Sequence, residues 1–173
     1  MIVRTLTVGL LVVAAAIIQT AVFPLLPTGW FRPDVLLLLV VAAALADGPL
    51  VGLRVGFAAG LVSDLLTVLS PVGVGTLVLT AIGFATGAVR PYLAPSSLSA
   101  PLLVALVTGV VGTAAHGTLV LLLGDERLPS ALLVQAAIGV GIFNVALAPL
   151  VLGAVARVLR GLPQASSAPF EQA

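Results

Sequence analysis

The sequence predicts an all-α integral membrane protein that folds as a compact bundle of about six transmembrane helices. Of its 173 residues, 61% are hydrophobic and 8% are charged, which is more apolar surface than a soluble domain can bury. Residues 5–18, 35–46, 74–89 and 131–156 contain no ionisable side chain. In hydrocarbon, all backbone polar groups must be paired internally, so only helices and closed barrels span a membrane. Barrel strands alternate apolar and polar residues, whereas these stretches are apolar throughout, and this predicts helices.

The positions of proline, glycine and charged residues predict where each span ends. The spans are predicted at residues 5–23, 33–46, 50–69, 74–89, 100–123 and 131–159. Together they make residues 1–162 one transmembrane domain, followed by a disordered cytoplasmic tail at 163–173, which is rich in proline and serine. The second span is the least certain in length, because its apolar stretch covers about 18 Å against a hydrocarbon core near 30 Å. It is predicted to be short, tilted or re-entrant.

The distribution of arginine predicts the orientation of the bundle. Cytoplasmic loops of membrane proteins carry an excess of positive charge. With six crossings and a cytoplasmic N-terminus, two arginines, Arg32 and Arg127, lie outside. Five lie inside, namely Arg4, Arg54, Arg90, Arg157 and Arg160. Both termini are therefore predicted to be cytoplasmic.

Composition and motifs argue against several classes of function. The net charge is +1, so no electrostatic surface for nucleic acid is predicted. The chain contains no cysteine, which excludes disulfides and thiolate metal sites. The sequence contains no nucleophile elbow, metalloprotease helix or phosphate-binding loop. We therefore expect a protein that is not an enzyme and needs no metal or cofactor.

Asp64 is the most informative polar residue, because it lies well inside the third span. A carboxylate near the centre of a membrane helix costs about 2.5–3.5 kcal/mol on insertion scales, so it should face protein or water. Gly52, Gly56, Gly60 and Asp64 recur every four residues, and such a stripe of small residues allows close helix packing. The third span is therefore predicted to be central. Asp64 either binds a partner or lines a path for an ion or substrate. Alternatively, it is satisfied within the bundle, or it is protonated and merely structural.

Other polar and small residues inside the spans allow similar alternatives. His116 is predicted to be a hydrogen-bonded packing residue or a ligand, although one histidine without a nearby cysteine or carboxylate at ligand spacing cannot form a zinc site. Asn144 and Thr80 are expected to donate hydrogen bonds between helices or to have only a local role. Arg54 either extends to the lipid headgroups or contacts a partner. The candidates for a partner interface, or for organising the bundle, are Arg32, Asp34, Gly52, Gly56, Gly60, Asp64, Gly83, Gly87, His116 and Asn144.

An ordered set of short motifs resembles the family of the rod shape-determining protein MreD. The motifs are RPDVLLLL at 32–39, DGPLVG at 47–52, GFAAGLVSD at 56–64, SPVG at 70–73 and GFATGAVR at 83–90. Each motif alone is weak, but their order is fairly specific, and the set covers about a third of the chain. Length and span count also agree with this family.

The resemblance implies a component of the bacterial cell elongation machinery in the cytoplasmic (inner) membrane. This machinery carries out lateral peptidoglycan synthesis and maintains rod shape. The resemblance also implies binding to an MreC-type single-span protein, close to an MreB-type actin filament and a glycan polymerase and transpeptidase. Membrane lipids complete its surroundings. The implied fold is similar to the six-helix substrate-binding subunits of vitamin transporters. A small-molecule-binding subunit of a membrane transporter is therefore the alternative function.

Overall fold

The computed structural model describes residues 2–22, 32–67, 71–93, 99–124 and 130–161, and these form a compact bundle of six α-helices without β-strands. The predicted fold class is therefore confirmed. A single π-helical segment, Ile18–Val22, extends α1, and a short 3-10 helix, Arg90–Tyr92, extends α4. The α-helices are α1 (Ile2–Ile17), α2 (Val35–Asp47), α3 (Pro49–Leu66), α4 (Val74–Val89), α5 (Ser99–Leu122) and α6 (Ser130–Arg160).

The helix ends follow the turn residues that the sequence provides. Gly48, between α2 and α3, has a φ of 89°, and Gly73, before α4, has a φ of 105°. Positive φ values of this size favour glycine. Pro49 occupies the first turn of α3, where its missing N–H costs nothing. Residues 23, 68 and 69 of the predicted spans and the predicted tail at 163–173 lie outside the described residues.

Helix α2 is short and enclosed. Among the described residues, five helices are long and apolar enough to cross a membrane, whereas α2 has 13 residues, or about 20 Å. Every residue from position 36 to position 44 is buried, so α2 has no face open to lipid. The prediction that the third span is the central one is therefore wrong. A helix that is apolar on all sides belongs inside a bundle, and the glycine stripe of α3 indicates close packing on one side only.

Helices α3 and α4 form a tightly packed antiparallel hairpin along a seam of glycines. A Cβ atom added to Gly52 would lie closer than 3.0 Å to the carbonyl oxygen of Gly83, and one added to Gly83 would meet Gly52 in the same way. Gly56 and Gly60 of α3 face the backbone of α4, and Gly87 of α4 faces Pro49. The predicted close approach of another helix at the glycines of α3 is thus observed, and the approaching helix is α4.

Polar contacts distinguish the two ends of the bundle. At one end, called the Arg4 end, Arg4 forms an ion pair with Asp47 at the end of α2 and donates a hydrogen bond to the carbonyl of Leu159, near the end of α6. The opposite end, called the Asp64 end, contains the starts of α2 and α4. Helix α2 therefore runs from one end to the other. The start of α1 and the end of α6 lie together at the Arg4 end.

Candidate functional site

The start of α2 is stabilised by side chains from three helical segments. Asp34 is the N-cap residue, and its Oδ1 accepts a hydrogen bond from the backbone N–H of Leu37 at 3.0 Å. Gln19, from the π-helical segment, accepts through Oε1 from the N–H of Leu36 at 3.0 Å. Asn144 of α6 accepts through Oδ1 from the N–H of Asp34 at 2.9 Å. Since helix starts leave N–H groups unpaired, these contacts permit a helix to begin inside the bundle.

The start of α4 is stabilised by Asp64 from the neighbouring helix. Its residue before the helix is Gly73, which has no side chain to act as a cap. The carboxylate of Asp64 accepts from the backbone N–H groups of Gly73, Gly75 and Thr76 at 2.9–3.0 Å. It also accepts from the Thr76 hydroxyl at 2.7 Å. The Asp64 side chain thus serves as the cap that α4 lacks in its own sequence.

A cavity of about 650 Å³, lined by both apolar and polar residues, lies between these two helix starts. Four of the predicted candidates line it, namely Arg32, Asp34, Asp64 and His116. His116 belongs to α5. The other lining residues belong mainly to α1, its π-helical extension, α2, α3 and α4, and one residue belongs to α6. Its further polar lining consists of Gln19, Thr20, Ser63, Thr67 and Thr113. We call this space the Asp64-end cavity.

The other predicted candidates lie elsewhere. The five glycines at positions 52, 56, 60, 83 and 87 form the seam between α3 and α4. Asn144 is fully buried and supports the cavity through Asp34 without lining it. The structure thus brings the charged and imidazole candidates together in one cavity and assigns the glycines to helix packing.

These contacts bear on the roles predicted for three single residues. The carboxylate of Asp64 is satisfied within the bundle, because four donors from α4 and its preceding turn surround it. Asn144 does bond between helices, but as an acceptor, and its Nδ2 has no hydrogen-bond partner among the described residues. Of its two predicted roles Thr80 has the local one, because its hydroxyl donates to the carbonyl of Thr76 in the same helix. Threonine commonly bonds to this carbonyl in membrane helices.

Two functional features were not predicted. Gln19 was treated as part of the first span, although a lone amide in an apolar stretch is itself a signal of a buried hydrogen bond. The ion pair between Arg4 and Asp47 was missed because the two residues are 43 positions apart. Asp47 was interpreted only as a residue that ends the second span. Its acidic charge at the end of an apolar helix indicated that a cation lies nearby.

The chemistry available in the Asp64-end cavity is hydrogen bonding rather than a reactive constellation. No group of three or more metal-binding side chains occurs within the described ranges. The carboxylates of Asp34 and Asp64 are both used to stabilise helix starts. The cavity therefore offers a fixed framework with polar groups at its wall.

Apolar helices of spanning length, an enclosed short helix and internally paired polar groups define a multi-pass α-helical membrane protein. The family model for the rod shape-determining protein MreD matches residues 1–157, and the chain belongs to this family. Its membership assigns the protein a role in determining rod cell shape. No curated protein and no solved structure matches the chain, so the likeness to vitamin-transporter subunits stays a prediction.

Proposed function

We propose that this protein is a non-enzymatic component of the cell elongation machinery that acts by binding an MreC-type single-span protein. In this role it resides in the bacterial cytoplasmic membrane with both termini in the cytoplasm. Through its partner it is coupled to an MreB-type filament and to the glycan polymerase and transpeptidase. Membership of the MreD family carries the proposal. The use of both cavity carboxylates as helix caps supports a binding role over a catalytic one.

The outward face of α3 is the surface that we propose for the partner. Leu50, Phe57 and Leu65 are exposed along this face, as expected for a helix that meets lipid or another helix. Arg54 is also exposed on this helix, about 8 Å from its start. A cation within an apolar face favours a partner that supplies an anion or a carbonyl oxygen. The opposite face of α3 is occupied by the glycine seam.

Co-purification from mild detergent with the MreC-type protein tests this function. We expect the wild-type complex to be retained and Arg54→Leu to weaken it. Arg157→Leu is the matched control, because Arg157 is an exposed arginine on α6. Depletion of the protein should convert rods into rounded cells, and Arg157→Leu should restore rod shape better than Arg54→Leu. Absence of any retained complex, together with normal rods after depletion, contradicts the proposal.

A small-molecule-binding subunit of a transporter is the second candidate function. The observation that favours it is the Asp64-end cavity, whose volume of about 650 Å³ lies within the usual range for ligand pockets. A ligand that binds only the folded protein raises its melting temperature. A panel of vitamins and cofactors should then contain at least one compound that produces such a shift in purified protein. A panel without any shift contradicts this function and leaves the first proposal intact.

A further inference from the structure

The turn between α2 and α3 lies at the centre of the bundle face at the Arg4 end. Helix α2 contacts each of the other five α-helices, so it is the middle helix of the bundle, and this turn directly follows it. Gly48 in the turn is buried. A Cβ atom added to Gly87 of α4 would lie closer than 3.0 Å to the backbone of Gly48 and Pro49. The turn is therefore enclosed by its neighbours and does not lie at the rim of the face.

Arg4 connects this central turn to the end of α6. Its guanidinium pairs with Asp47, the residue before Gly48, and donates to the carbonyl of Leu159 at 3.3 Å. Arg160 directly follows Leu159 and is exposed. Helices α1 and α6 thus each bring an arginine to the end face, the first paired with an acid and the second exposed.

Arg90 brings a third arginine from the end of α4. Its Nη1 is 3.9 Å from the position that a Cβ atom on Gly48 would occupy, so the guanidinium reaches toward the central turn. The side chain is nevertheless exposed. Within the described parts of the chain, neither Arg90 nor Arg160 forms an ion pair. We call the surface formed by Arg4, Asp47, Gly48, Arg90 and Arg160 the end face.

The end face carries positive charge that nearby parts of the chain do not neutralise. Among the described residues, Asp47 is the one acid at this end, and Arg4 already pairs with it. Residues 65–124 and 127–170, the segments around Arg90 and Arg160, contain no acid at all. Arginine is always charged, and its planar set of donors matches a carboxylate. The two unpaired guanidinium groups are thus available to carboxylates of another molecule.

We propose that the end face binds an acidic segment of a protein, with carboxylates of that segment beside Arg90 and Arg160. Lipid headgroups surround the perimeter of a membrane protein, whereas Arg90 reaches toward the turn at the centre of the face. This position favours a protein that covers the end of the bundle. The end face is separate from the outward face of α3, so the inference does not rest on the proposed function.

Fluorescence anisotropy of a labelled oligoglutamate peptide tests the site on the purified full chain in an uncharged maltoside detergent. We expect saturable binding that weakens as the salt concentration rises, and no binding of a glycine–serine peptide of the same length. The double variant Arg90→Gln/Arg160→Gln should raise the Kd of the oligoglutamate by about tenfold.

A double variant that removes the same charge elsewhere is the matched control. Arg32→Gln/Arg54→Gln replaces two exposed arginines outside the end face and should change the Kd by less than about twofold. Equal Kd values for the two double variants overturn the proposal, because binding then follows the net charge and not the end face.

Crosslinking keeps the proposal testable if the glutamine variants do not fold. A benzophenone side chain at Tyr92, close to Arg90 and 86% exposed, should form an adduct with the labelled oligoglutamate. The same group at Val72, at the opposite end of α4 and 71% exposed, should not. Equal adduct yields at the two positions overturn the proposal.

Two further measurements distinguish the other occupants of the end face. If phosphatidylglycerol raises the melting temperature of the wild type but not of Arg90→Gln/Arg160→Gln, the arginines bind lipid headgroups and the proposal is overturned. A chain ending at Gly161 should bind the oligoglutamate with the Kd of the full chain. Binding that appears only after this truncation assigns the end face to the segment containing Glu171 and also overturns the proposal.

Discussion

Asp34 and Asp64 each accept hydrogen bonds from the backbone of a helix start at the wall of the Asp64-end cavity. Asp34 does so for its own helix, whereas Asp64 reaches from the last turns of α3 to α4. Glycine at position 75 is part of this arrangement, because a Cβ atom there would overlap Oδ1 of Asp64. An acidic residue in a membrane span is by default a candidate for transport or proton transfer. Here the hydrogen bonds that Asp64 accepts give this acidic residue a structural role, namely capping α4.

Replacing Asp64 with alanine should strongly destabilise the α3–α4 hairpin. The substitution leaves the N–H groups of Gly73, Gly75 and Thr76 without their acceptor, and each buried unpaired group costs about 1–3 kcal/mol. Asp64→Asn keeps one carbonyl oxygen and should lose less. Thermal unfolding in detergent measures the effect, with Ser63→Ala as the control from the same cavity wall. A melting temperature for Asp64→Ala equal to that of the control contradicts the capping role.

At the scale of helices, the contacts of the glycine seam predict which substitution destabilises the bundle, which the sequence pattern alone does not. A Cβ atom at Gly56 would lie closer than 3.0 Å to backbone atoms of Leu79 and Thr80. Backbone cannot move aside as a flexible side chain can, so Gly56→Ala should cost about 1–3 kcal/mol or more by overpacking. Gly9→Ala is the control, because nothing lies within 4 Å of its added Cβ. The control should be neutral or stabilising by up to about 1 kcal/mol. Equal melting temperatures contradict the close approach.

The helices could be predicted from the sequence to a greater extent than their contacts. Span 4 was predicted at 74–89 and is observed at Val74–Val89, because a continuous apolar stretch bounded by Gly73 and Pro91 allows few other limits. The glycine stripe predicted close packing but not its partner. The donors to Asp64 could not be predicted, because they depend on the register between α3 and α4. The uniform apolarity of α2 indicates a helix that is enclosed on all sides. Its short length instead favoured a short, tilted or re-entrant span, so the enclosure was not predicted.

At the scale of the molecule, Arg4 joins three helices at one end of the bundle. Its guanidinium pairs with Asp47, and both side chains are largely buried. A double-mutant cycle of Arg4→Ala and Asp47→Ala should give a coupling energy in the range of ~0.5–3 kcal/mol for contacting residues. The control cycle of Arg157→Ala and Asp47→Ala should be additive within about 0.5 kcal/mol, since no ion pair joins these residues within the described parts of the chain. If the effects of Arg4→Ala and Asp47→Ala on the free energy of unfolding are additive, the proposed contribution of this ion pair to stability is contradicted.

The orientation of the whole bundle can be tested directly, because the chain has no native cysteine. Val72 and Tyr92 lie at opposite ends of α4 and are 71% and 86% exposed, so they form a matched pair for labelling. The arginine distribution predicts that Arg90 and the Arg4 end lie on the cytoplasmic side. An impermeant thiol reagent should therefore label Val72→Cys in intact cells and label Tyr92→Cys only after permeabilisation. Labelling of both positions from outside contradicts a spanning α4. The reverse pattern places the Arg4 end on the outer side of the membrane.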